Sequence, residues 1–165
     1  MQLDAFLLAD AVSAPPDGKF YIHGGGLTRI TTPTMPFLLP QLGVFARFEV
    51  TEQELRRGHR FRLALTDPDS QPMGALPEFD SAPIKPPRLE PGERRFVALA
   101  INVSGLLFAR TGLFHFELYV DDERHEAMPL PVVTLTAEEL QAMTRPKAPA
   151  VAPNRAQRRT QQRRR

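Results

Sequence analysis

Cysteine and tryptophan are absent from this 165-residue chain, and tyrosine occurs only twice. Without cysteine there is no disulfide framework, no thiolate nucleophile and no cysteine-ligated metal. Long apolar runs are missing as well. The one candidate, residues 3–14 (LDAFLLADAVSA), contains Asp4 and Asp10 and follows no positive segment, so neither a secretory leader nor a membrane span is expected. A cytoplasmic location is the corresponding expectation. The balance of charge differs by region. Residues 1–135 carry 13 Lys and Arg against 17 Asp and Glu, net −4, whereas residues 136–165 carry 8 against 2, net +6. An acidic body therefore precedes a basic tail, and the overall +2 describes neither.

What is present is a succession of short alternating segments. Eleven phenylalanines and a 42% hydrophobic content are enough for one core. Between positions 113 and 120, Phe114, Phe116, Leu118 and Val120 alternate with His115, Glu117 and Tyr119, the period of a strand with one buried face. Asp121, Asp122 and Glu123 interrupt the pattern and 127–135 resumes it, which predicts a β-hairpin. Earlier, 3–14 and 19–32 flank the turn-forming APPDG and read as another hairpin. Residues 42–50 and 59–66 alternate cleanly, the latter with Phe61, Leu63 and Leu65 inward. Between them Thr51 and Glu54 have capping-box spacing and predict one helical turn. Residues 71–80, broken by Pro72 and Pro77, predict an edge strand. Residues 94–103 place Phe96, Ala98 and Ala100 on one face and Val97, Leu99, Ile101 and Val103 on the other, which suits the centre of a sheet, and 106–108 form an apolar plug. Proline-rich stretches at 33–40 and 81–92 predict crossings between sheets.

About eight strands and no long helix predict an all-β fold: an antiparallel β-sandwich, immunoglobulin-like or jelly-roll-like, over residues 1–135. A short helix is predicted over 136–143, opened by Thr136, and a disordered Arg-rich tail over 144–165, which has almost nothing apolar to bury.

LDAFLLADAV, then FYIHGGGLTRI, then GVFARFEV-TEQE-LRRGHRFRLALTDPD, and finally a phenylalanine-rich strand ending at Asp121, resemble an uncharacterised family of small bacterial proteins, a domain of unknown function. The likeness covers about 1–135. Its most specific piece is the Gly24, Gly25, Gly26 run with Thr28 and Arg29. The resemblance implies a compact β domain and carries over no catalytic residue, cofactor or ligand.

Chemistry is sparse. His23, His59, His115 and His125 lack metal-ligand spacing, and Ser13, Ser70, Ser81 and Ser104 lack a nucleophile-elbow context, so no catalytic residue, metal or cofactor is expected. Gly24, Gly25 and Gly26 are followed by strand-like residues where a phosphate loop needs a helix; they read first as a bulge and second as a ligand contact. Asp67 with Asp69, and Asp121 with Asp122, sit on turns where calcium-binding sandwiches place carboxylates, although aspartate is also an ordinary turn former. In a helical tail, Arg155, Arg158, Arg159 and Arg163 would share a face, with Arg164 and Arg165 following. Such a cluster suits nucleic-acid phosphates or serves as a solubilising appendage. The leading expectation is a non-enzymatic module that binds or scaffolds a protein partner through an exposed strand or loop end. The alternative is nucleic-acid association through the tail.

Overall fold

A computed structural model of the chain describes residues 1–15 and 19–144. Its elements, in order, are β1 (Gln2–Ala9), β2 (Ala11–Ser13), β3 (Tyr21–His23), β4 (Ile30–Thr32), β5 (Phe37–Glu49), α1 (Glu52–Leu55), β6 (Arg60–Thr66), β7 (Glu78–Asp80), β8 (Phe96–Phe108), β9 (Gly112–Val120), β10 (Glu123–Thr134) and α2 (Ala137–Thr144). The all-β expectation is met. Two sheets carry most of the chain: a three-stranded one in the order β1-β5-β8 and a five-stranded one in the order β4-β10-β9-β6-β7, with β2 and β3 forming a separate ribbon.

The predicted hairpin at 113–135 is the antiparallel β9–β10 pair, turned by Asp121 and Asp122, both at positive φ. Its aromatic face is buried: Phe114, Phe116, Leu118 and Val120 are each 4% exposed or less. Phe61, Leu63 and Leu65 of β6 face the same way, and Val44, Ala46 and Phe48 of β5 complete one hydrophobic cluster that draws on both sheets. Period-two patterning thus identified the core-facing residues because strand geometry alone fixes which side chains share a face.

Connectivity departs from the sequence expectations in three places. Residues 3–14 and 19–32 do not form one hairpin: only Ala11, Val12 and Ser13 pair with Tyr21, Ile22 and His23, while β1 pairs with β5 and β4 with β10. Among the described residues β4–β10 is the one parallel pairing, so the sheets are mixed rather than purely antiparallel, and ten strands stand where about eight were expected. Finally, the segment read as a sheet centre, 94–103, belongs to β8, the terminal strand of its sheet. The physical reason lies just before it. Residues 81–95, the neighbouring stretch that could have paired along β8, contain Pro83, Pro86, Pro87 and Pro91, which have no N–H to offer a ladder.

Gly24, Gly25 and Gly26 follow β3 rather than bulging within a strand. They bring the Gly26 and Leu27 amides to the Leu8 carbonyl, each at 3.0 Å. Gly24 has φ +62°, the left-handed region that favours glycine. Pro16, Asp17 and Gly18 of the predicted turn lie outside the described residues.

The chain divides into two compact units, 1–135 and 136–165. In the second, α2 begins at a reciprocal cap: the Thr136 amide donates to Glu139 Oε2 at 2.8 Å, and the Glu139 amide donates to Thr136 Oγ1 at 3.3 Å. Among the described residues no helix is long and apolar enough to cross a membrane.

Candidate functional site

β8 runs for thirteen residues, FVALAINVSGLLF, without a charged side chain. Val97, Leu99, Ile101 and Val103 point to the inter-sheet core. Ala98 and Ala100 point the other way and pack beside Ala9, Val12 and Phe45. That second face is roofed by the β2–β3 ribbon. Asn102 clasps it with both ends of its amide, donating to the Val12 carbonyl at 2.8 Å and accepting from the Val12 amide at 3.0 Å. Residues 97–101 are half-buried on both faces, Phe96, Asn102, Ser104 and Leu107 are exposed, and one long side is unpaired among the described residues. Among the described residues, the main chain of β8 hydrogen-bonds with β5 and with no other element. A row of unpaired N–H and C=O groups along an uncharged apolar strand is a template for another strand.

The C-terminal half of this edge opens onto a cleft of about 330 Å³, lined by Leu65, Met73, Leu76, Val103, Leu106 and Leu107 among others, with no titratable side chain. Gly105, at φ +73°, lies on its β8 side. It falls between the register pairs Leu39↔Leu106 and Gln41↔Ser104, where the alternation changes phase. Leu106 and Phe108 beyond it return to the core, while Leu107 and its register partner Leu38 are each 56% exposed. Residues 73–76, within the segment predicted as an edge, form the opposite wall. The strand in that segment is β7, the terminal strand of the five-stranded sheet.

A second cluster resembles an acid/base site and is closed on itself. His59, 6% exposed, places Nδ1 2.8 Å from Asp121 Oδ2 and Nε2 2.9 Å from the Glu54 carbonyl. Ser81 Oγ is nearby but accepts from the His59 backbone amide, not from the ring. With an acceptor against each ring nitrogen, neither is free to take a proton from a nucleophile, as a general base must. Burial pushes the Asp121 carboxyl up, but hydrogen bonds from the Arg60 amide and the His59 ring outweigh it and hold the group below its ordinary range. Beside it, the Met1 ammonium pairs with Glu54 Oε1, and together with the Thr51 amide brings Glu54 from 4.5 to about 2. Sequence reasoning missed the His59–Asp121 pair because 62 positions separate its members.

The turns considered for calcium are occupied from within. Arg110 pairs with Asp67 at 2.8 Å and also with Asp69, so a guanidinium already occupies the space between the carboxylates. The Gln71 amide, and then Arg110, hold Asp67 below its ordinary range despite the opposing effect of burial. Among the described residues no three His, Asp or Glu side chains gather as a metal-ion site. On the outer face of the five-stranded sheet, Tyr119 donates to Glu117 Oε2 at 2.7 Å and lies under the Arg62 guanidinium, 3.8 Å from its ring centroid. That hydrogen bond and burial raise the Tyr119 hydroxyl above its usual range. The glycine run makes the backbone contacts given above. Arg155, Arg158, Arg159, Arg163, Arg164 and Arg165 lie outside the described residues.

A model of a family of unknown function, DUF6941, matches residues 4–133, and the chain belongs to that family. No curated protein matches it.

Proposed function

Starting from membership of a family that brings no activity with it, we propose that the protein is a non-enzymatic binding or scaffolding module acting through protein–protein contacts. The contacting element is the free side of β8. The observation that carries this reading is a thirteen-residue uncharged terminal strand whose main chain bonds on one side only. Strand addition takes its affinity from such main-chain groups and its selectivity from neighbouring pockets, and the uncharged cleft beside residues 103–107 supplies the pocket. The closed His59–Asp121 pair supports the non-enzymatic part. In this reading the two sheets are the layers of a β-sandwich, and the setting is the bacterial cytoplasm, which subcellular fractionation checks.

The absence of cysteine makes a clean test possible. A thiol-linked photo-crosslinker at Ser104→Cys on β8 is compared with the same group at Glu126→Cys on β10, where the side chain is also exposed. Protein adducts form from position 104 and not from 126. Equal yields from both positions refute the assignment to β8.

A second reading rests on the charge division, −4 in residues 1–135 and +6 beyond. Here nucleic acid is bound through Arg155, Arg158, Arg159, Arg163, Arg164 and Arg165. A chain ending at residue 143 loses all nucleic-acid affinity. With six phosphates engaged on a single strand, the log–log salt slope of the full chain approaches about −4, from about −0.7 per phosphate. A flat salt response refutes this reading.

A further inference from the structure

We propose that the strand added to β8 is β8 of a second copy of this chain, paired antiparallel about a two-fold axis at Asn102 to make a continuous six-stranded sheet. This rests on the reading of β8 as the contacting edge and names its occupant.

Three features favour the same chain over a foreign one. First, the strand is free of charge, so laying it against itself in reverse opposes no like charges over its whole length. Second, the register brings an exposed arginine to an exposed acidic group. Arg94, 62% exposed and held by Glu49 at 2.9 Å, precedes the strand. Just beyond its other end, Arg110 holds both Asp67 and Asp69, a group with net charge −1 whose Asp69 is 67% exposed. Full overlap centred on Asn102 sets Arg94 of one copy opposite Arg110 of the other, within reach of the exposed Asp69 that Arg110 holds, twice per dimer. Third, the same register puts Leu99 of one copy opposite Gly105 of the other and Val97 opposite Leu107, so the incoming strand delivers apolar side chains beside the uncharged cleft. An interface of this kind is isologous and closes at two subunits, because each copy uses the one long uncharged edge among its described residues. Pairing also satisfies the row of main-chain groups that makes such an edge prone to uncontrolled association.

The register makes a specific demand: positions 100 and 104 of the two copies face each other. Full-length Ala100→Cys and Ser104→Cys chains, mixed and mildly oxidised, form a disulfide-linked heterodimer in much higher yield than either chain alone. Sedimentation equilibrium of the unmodified chain shows a monomer–dimer exchange. Arg94→Glu raises its dissociation constant about tenfold, and adding Asp69→Arg restores it; circular dichroism confirms that each variant folds. A chain monomeric at every soluble concentration overturns the proposal. So does a dimer without the mixed disulfide, which would pair elsewhere. If the chain is monomeric while the crosslinker at position 104 still captures a different protein, self-pairing fails and the β8 reading stands. If position 104 captures nothing, both fail.

Discussion

The two sheets end differently. β7 closes the five-stranded sheet with three residues, preceded by Pro77. Glu78 and Asp80 flank Arg60 at 3.7 and 3.3 Å, and Phe79 stacks on Phe61 with ring centroids 5.6 Å apart. Short length, proline and charge are the devices by which proteins discourage strands from joining an edge. β8 ends the three-stranded sheet with thirteen residues and none of these devices along its length. Since one chain carries both designs, the protected edge is the internal reference against which the proposed pairing of β8 is judged.

The largest effect comes from removing the support of the protected edge. Phe61 touches Phe48 across the core as well as Phe79. Phe61→Ala costs about 3–5 kcal/mol in urea unfolding and speeds amide exchange in β7. If exchange in β7 does not change, the aromatic stack is not what holds that edge. Next is the corner behind it. His59→Ala strands the Glu54 carbonyl and Asp121 and costs about 2 kcal/mol in thermal or chemical denaturation, with β8 unaffected.

Acid separates the edges more gently. Glu54 and Asp121 titrate below their ordinary values in the fold, so their stabilisation is complete above about pH 4.5 and fades as pH falls, toward about 2 for Glu54. Discounted for solvent screening, the Glu54 part is on the order of 1–2 kcal/mol. Stability measured between pH 5 and 2 declines, and Glu54→Gln flattens that decline. Amides near β7 and Ser81 open before those of β8. The smallest effects come from exchanging the two designs. Glu78→Val with Asp80→Val changes stability by no more than about 0.5 kcal/mol yet makes the chain associate through β7. Ser104→Lys weakens self-association about tenfold, about 1.4 kcal/mol. If neither changes association, charge is not what separates the two edges.

Much of the fold was legible. The aromatic hairpin, the alternation of β5, the inward face of β6 and the Thr51–Glu54 cap follow from side-chain period and local backbone chemistry, which neighbouring residues settle among themselves; the crossing expected at 33–40 stops at Pro36, because β5 begins at Phe37 and takes in Pro40. The reading of 94–103 shows where that stops. An apolar pattern on both faces reports burial on both, and residues 97–101 are half-buried, against the core on one side and beside Ala9, Val12 and Phe45 on the other. Such a pattern carries no information about strands beside it, because a ladder is made of main-chain groups that every residue but proline possesses.

The sequence by itself determined that the chain is built of strands, which side chains face inward, and that charge is divided between body and tail, since period and composition act locally. The tertiary structure decided that β1 and β4 go to different sheets, that His59 meets Asp121, and that β8 has one neighbour instead of two among the described residues. Those outcomes depend on which segments are left to compete for each place once the core is filled.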